Sequence, residues 1–305
     1  MADAAQTSSP ADPLFVDSKG REVLPPDFGG VPVADTHAHL DMLDDPASAL
    51  ARAARAGVTF VATVTDPSED AARTYQSLPE WLTEARGTLA SIGGSASTFE
   101  PPEVRVIVGV HPHNAKNLTP QVEAELIRLA SHAQTAAVGE IGLDYHYDYS
   151  PREVQRSAFR RQLKLAVEMD LPAVVHLREA HADGEAIMRE VGLPRAGCIL
   201  HCYTMGPEQL EPFLALGCYV SFAGPASFKK ADEIRDAARA VPAGRILTET
   251  DSPFMTPEPF RGRTNEPAFV VFTAARLATA RDESPPAFAE HAYAAALGIL
   301  GRRGL

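Results

Sequence analysis

Cysteine is scarce in this chain: Cys198, Cys202 and Cys218 are the only three in 305 residues. An odd number within one short stretch makes no disulfide framework, and no pair has CxxC spacing. A thiolate zinc site is therefore not expected, and a reducing compartment is. Basic residues are outnumbered, 28 Lys and Arg against 40 Asp and Glu, for a net charge of −12. A field of that sign repels polyanions, so any nucleic acid would have to be held locally or through metal ions. No apolar run approaches the ~20 residues of a membrane span. The N-terminus has neither the basic start nor the apolar core of a secretion signal. A soluble cytoplasmic protein is expected, with no membrane association and no obligate protein partner.

Hydrophobic residues make up 45% of the chain and charged ones 22%, the ordinary globular range. A chain of this length buries about three quarters of its unfolded surface, so its core needs no staple. Residues 1–30, rich in Ala, Ser, Asp and Pro, read as a poorly ordered tail that becomes a lead-in near Leu24. From residue 31 to 305 a single catalytic domain is expected. Short apolar, β-branched runs mark strands beginning at Val31 and at 58–65, 104–110, 136–141, 172–177, 197–202, 217–222 and 245–250. Helical stretches alternate with them at 46–56, 68–86, 120–132, 151–169, 181–191, 207–216 and 231–241, and two more follow near 266–280 and 285–300. The Gly- and Pro-containing segment 87–102 reads as a surface loop. Strict alternation argues for a parallel sheet, and eight repeats fit an α/β fold of the (β/α)₈ TIM-barrel type. The competing open sheet would want a Gly-rich phosphate loop after its first strand. That loop is missing; Asp35-Thr36-His37-Ala38-His39-Leu40-Asp41 stands there instead.

In a (β/α)₈ barrel the C-terminal strand ends share one mouth. The polar residues at those ends are His37 and His39 after strand one and Glu140 after strand four. His176, His201 and Asp251 follow strands five, six and eight. Taken singly, each has an ordinary explanation: a satisfied core histidine, a buried salt bridge, a turn-forming aspartate. Six together, four imidazoles and two carboxylates, exceed what one metal takes from a protein. They suit two metals sharing a carboxylate. Glu249 lies one layer deeper and is expected to support the site rather than form it.

Around these residues the motifs read DTHAHLD (35–41), GVHPH (109–113), GEIGLDY (139–145) and VVH (174–176). They continue as LHCYT (200–204), FAGPASFKKA (222–231), ETDSPF (249–254) and NEP (265–267). In this order, from about Val31 to Gly301, the chain resembles the TatD-like metal-dependent deoxyribonucleases, a branch of the amidohydrolase-type barrels. The resemblance implies a dinuclear hydrolase with His37, His39, Glu140, His176, His201 and Asp251 as ligands. Glu140 would bridge the two metals. His37, His39 and Asp251 would join it at one, and His176 and His201 at the other. Many amidohydrolase relatives bridge with a modified lysine on strand four; here a carboxylate is encoded directly, as in the nuclease branch. The family often has Gly at the place of Met205 and a basic residue at the place of Thr264, and both departures bear on the substrate rather than the metals.

The expected activity is hydrolysis of DNA or another phosphodiester, bound at the barrel mouth, by metal-activated water. Asp251 is the candidate general base, and Glu140 the other catalytic carboxylate. The ions are divalent, Mg²⁺, Mn²⁺ or Zn²⁺, since imidazoles suit zinc and carboxylates admit the others. His111, Lys229 and Arg263 are candidate substrate contacts, with Arg178, Lys230 and Arg261 on the same side. Tyr145 and Tyr203 are candidates to stack on a base. Hydrolysis of another ester, a lactone or an amide is the alternative on this barrel, and a metal-binding protein without catalysis is the third reading.

Overall fold

A computed structural model describes residues 13–93 and 99–301. Eight strands run β1 (Val33–Ala38), β2 (Val58–Thr65), β3 (Glu103–Val108), β4 (Thr135–Asp144), β5 (Ala173–Arg178), β6 (Cys198–Leu200), β7 (Tyr219–Phe222) and β8 (Ile246–Thr248). They pair in that order and all in parallel, forming the expected (β/α)₈ barrel. Just past its strand end, β1 meets the chain beyond β8 through a parallel bridge between Ala38 and Ser252. The Asp251 N–H donates to the His37 carbonyl at 2.9 Å, and the His39 N–H to that of Ser252 at 2.8 Å.

Alternate strand residues bury in opposite directions, because both faces of such a sheet are covered. Phe60, Ala62 and Val64, with Ile107, Val174, Ile199 and Leu247, pack against Ala296, Ile299 and Leu300. The last three belong to helix α9 (Pro285–Leu300). Tyr293 of α9 accepts a hydrogen bond from Thr59 at 2.8 Å, and the Gly301 carbonyl accepts one from Arg105 at 3.1 Å. Both donors sit where strands begin, so α9 plugs that end of the barrel and leaves the other end for chemistry. The opposite strand face, with Val61, Val106, Val175 and Leu200, packs under the surrounding helices.

The helices start where side chains can cap them. Thr119 accepts from the Val122 N–H ahead of α3 (Pro120–Ala130), and Asp45 from the Ser48 N–H ahead of α1 (Pro46–Arg55). Between them, α2 (Ala71–Gly93) runs seven residues into the stretch expected to be a loop, because Ala85 and Leu89 keep a buried face that continues beyond the exposed Gly87. Residues 94–98 of that expected loop lie outside the described residues.

The expected tail also departs from expectation where it is described. From residue 13 onward it is placed, and Phe15 is buried among Phe260, Phe269 and Phe272, with ring centroids 4.9–5.9 Å away. Burial of one phenylalanine, about 1.5–3 kcal/mol, is enough to hold a short segment down. Asp17 adds a turn by accepting from the backbone N–H groups of Lys19 and Arg21.

Candidate active site

Glycines let the strand ends come close enough to share one site. A Cβ on Gly109 would lie 2.7 Å from the Gly139 carbonyl carbon, and one on Gly139 would lie 2.6 Å from Val174 Cβ. Gly142 has φ +141°, and a Cβ there would lie 2.0 Å from the His176 carbonyl oxygen. The β1–β2 register shifts between Asp35 and Ala38, and the β4–β5 register between Val138 and Ile141. Such irregularities re-aim a side chain, and here they fall on His37 and Glu140.

Glu140 is the centre. Its Oε2 lies 3.2 Å from His37 Nε2 and 4.0 Å from His39 Nε2. Its Oε1 lies 2.8 Å from both His176 Nδ1 and His201 Nε2, and 3.4 Å from His111 Nε2. Asp251 Oδ1 stands 3.5 Å from His39 Nε2 and 3.9 Å from His37 Nε2. The six expected ligands thus converge, and His111 joins them. Three sets have donor atoms within 4.8 Å of one another: His37–His39–Asp251, His37–Glu140–His201 and His111–Glu140–His176.

The electrostatics fit a cation. His37 is fully buried, and neither of its ring nitrogens has a hydrogen-bond partner, a costly state for a group that is not a ligand. Burial opposes ionisation of Glu140, yet His201, His111 and His37 outweigh it and hold its carboxyl well below the usual range. Burial likewise opposes charging of His201, but Glu140 and Glu249 raise it well above the ordinary value, so the local field favours positive charge. Burial lowers His111 to about 4, which keeps that ring neutral, and its Nδ1 accepts the His113 N–H at 3.2 Å.

A second layer orients the first. Glu249 Oε1 lies 3.1 Å from His201 Nδ1 and accepts the Cys202 N–H, in the supporting place expected for it. Asp144, which the sequence reading left without a role, accepts from His113 Nε2 at 2.8 Å and lies 3.3 Å from His176 Nε2. Its signal was its position, a carboxylate at a strand end like the other candidates. Asp35 is buried and accepts from the His37 N–H and from the backbone and hydroxyl of Thr250, tying β1 to the segment after β8. Asn265 supports that segment from outside, donating to the Thr250 carbonyl at 2.8 Å.

Burial raises Asp35 from 3.8 to about 8. The folded state therefore binds a proton that the unfolded chain releases between those values. Stability from this group is present in acid and is lost as pH rises through that window. We expect Asp35→Asn, neutral throughout, to remove part of the fall in the urea midpoint of metal-free protein between about pH 5 and pH 8.

The cavity over the cluster holds about 720 Å³. His111 and Arg178 line it. Lys229, with Lys230 and Arg261, lines a neighbouring cavity of about 430 Å³ that adjoins it at Thr204 and Pro225. Arg263 is on neither wall; its guanidinium is taken up by the Val16 carbonyl, fastening the N-terminal lead-in to the loop after β8. Tyr203 is buried with its hydroxyl on the Gly206 carbonyl, and Tyr145 donates to Asp183, so the tyrosines facing the cavity are Tyr147 and Tyr149 instead.

An eight-stranded barrel with histidines and carboxylates converging at the C-terminal strand ends defines a metal-dependent hydrolase. The family model described as TatD related DNase matches residues 34–301, and the chain belongs to the TatD family. It is 37% identical over 244 residues to the uncharacterized metal-dependent hydrolase YcfH of Escherichia coli strain K12, covering 78% of this chain and 84% of that one. It is 39% identical over 182 residues to the 3'-5' ssDNA/RNA exonuclease TatD of Pantoea vagans, covering 58% of this chain and 70% of that one. The crystal structure of YJJV, a TatD homolog from E. coli K12, superposes with a TM-score of 0.76 at 27% identity, over 90% of this chain and all of that one. The protein is a hydrolytic enzyme acting on ester bonds. No helix among the described residues is long and apolar enough to cross a membrane.

Proposed function

We propose that the enzyme is a dinuclear phosphodiesterase that cleaves DNA or a related nucleotide ester. The observation that carries this is the division of the Glu140 carboxylate, one oxygen toward His37 and His39 and the other toward His176 and His201. A carboxylate shared in this way can serve two ions at once, with Asp251 completing the first set and His111 in reach of the second. Divalent ions held there would supply Lewis acidity, lowering the pKa of a water and offsetting charge on a phosphoryl oxygen.

The remaining work falls to the chain. Burial works against ionisation of Asp251, but His39, 3.5 Å from it, and the charges of His201 and His37 hold its carboxyl below the usual range. It is therefore ionised at neutral pH and can orient the attacking water and accept its proton. Asp251 also sits in the left-handed region, φ 55°, with its N–H on His37, so its position is fixed by backbone as well as by charge. Glu249 and Asp144 hold His201 and His176 in place. The relative from P. vagans, named as an exonuclease on single-stranded DNA and RNA, supports a nucleic-acid substrate.

The test is hydrolysis of a phosphodiester panel by metal-stripped and reconstituted protein. Chelation should abolish turnover, and manganese or magnesium should restore it with about two ions bound per chain. Full turnover in rigorously metal-free protein, or restoration with one ion bound, refutes the dinuclear reading.

A further inference from the structure

The cavity has an unusual balance of charge for an enzyme that takes a polyanion. Arg178 is the one arginine or lysine among the described residues lining it, against six carboxylates: Asp41, Asp66, Glu69, Glu140, Asp144 and Asp251. Apart from the ions and the Lys229, Lys230 and Arg261 group of the adjoining cavity, few phosphates can be neutralised here, so a nucleic acid needs a further grip.

The wall beside His113 supplies one. Tyr147 and Tyr149 follow β4, with rings parallel within 14° and centroids 5.3 Å apart. They are 45% and 57% exposed although both line the cavity. The loop that carries them is held. Asp144 accepts the backbone N–H groups of His146 and Tyr147, and Lys116 Nζ donates to the Tyr149 carbonyl at 2.9 Å. The His113 ring stands edge-on to both tyrosines, at 5.5 and 4.8 Å, and the Arg178 guanidinium lies 4.7 Å from the Tyr147 centroid. The same Asp144 that fixes this loop contacts His176, so the tyrosines and the Glu140 cluster share one anchor. The two held, water-exposed rings stack on each other, with the Arg178 guanidinium over Tyr147, so the more exposed Tyr149 ends an aromatic stack that a base can extend.

We propose that Tyr147 and Tyr149 form a stacking platform for an unpaired base of the substrate strand adjoining the bond that is cut. This rests on the phosphodiesterase reading above. A base locked in a duplex cannot reach the platform, so the site selects unpaired ends. Stacking is indifferent to base identity, so the selection is for strandedness and not for sequence.

The experiment compares kcat/KM, with manganese, for a single-stranded oligonucleotide and for the same oligonucleotide made abasic at either of its two terminal positions. The wild type should favour the intact strand by about 5- to 150-fold, the range for one stacked base. Tyr147→Ala/Tyr149→Ala should bring that ratio close to one, mostly through KM. Tyr147→Phe/Tyr149→Phe, which keeps the rings, should preserve it. A ratio unchanged in the alanine pair, or lost equally in the phenylalanine pair, overturns the platform. If the wild type cuts intact and abasic strands alike, the platform falls while the phosphodiesterase reading stands. If it releases nucleotide from neither, both fall.

Discussion

Asp251→Asn is expected to bind metal nearly as the wild type does and to turn over about 10²–10⁴ times more slowly, the usual range for a positioned acid–base group. The substitution keeps the size of the side chain and one oxygen donor. His37 and His39 stay in place, because their backbones are bonded to Asp251 and Ser252 through main-chain groups that asparagine does not alter. What is lost is the negative charge, and with it the acceptor for the proton of the attacking water. Metal analysis beside single-turnover rates decides the matter. Near-wild-type rates with metal bound would make Asp251 a ligand only and hand the proton to another group.

Glu140→Gln behaves in the opposite way. Its two oxygens serve two donor sets, so removing the charge weakens both at once. We expect the content of both ions to fall together and activity to fall in proportion, with partial recovery at high manganese. The buried histidines lose their counter-charge as well, since Glu140 favours the charged form of His201, and a neutral amide cannot replace it. Loss of one ion with full retention of the other would show that Glu140 belongs to a single set.

Much of this site was legible before the fold was known, for a physical reason. A parallel barrel buries both faces of each strand, so a polar residue closing an apolar run stands out, and six such residues were found in that way. The expected ligands therefore converge as read. The contacts made by loops were less legible. Tyr145 and Tyr203 looked no different from Tyr147 and Tyr149, since no periodicity governs a turn, and which ring faces the cavity is decided by Asp144 capturing the N–H groups of its loop. Arg263 looked like a mouth residue, but its partner is the Val16 carbonyl, 247 residues away. The lead-in from residue 13 was read as tail because its holds, Phe15 in a distant aromatic group and the Val16 carbonyl on Arg263, leave no pattern in the local sequence. The α2 extension was hidden by Gly87, whose cost of about 1 kcal/mol is offset by burial of Ala85 and Leu89 on either side.

The seam between β1 and β8 has a consequence for how the enzyme comes into being on the ribosome. Asp35 is paired with Thr250 across 215 residues, and Thr36 with Thr248 across 212. His37 and His39 lie far before Asp251 in the order of synthesis. A growing chain can stack its early β/α units as they appear, but it cannot close the ring or gather the His37–His39–Asp251 donors until β8 and Asp251 have been made. A chain that ends before residue 251 therefore lacks one of the three donor sets, His37–His39–Asp251.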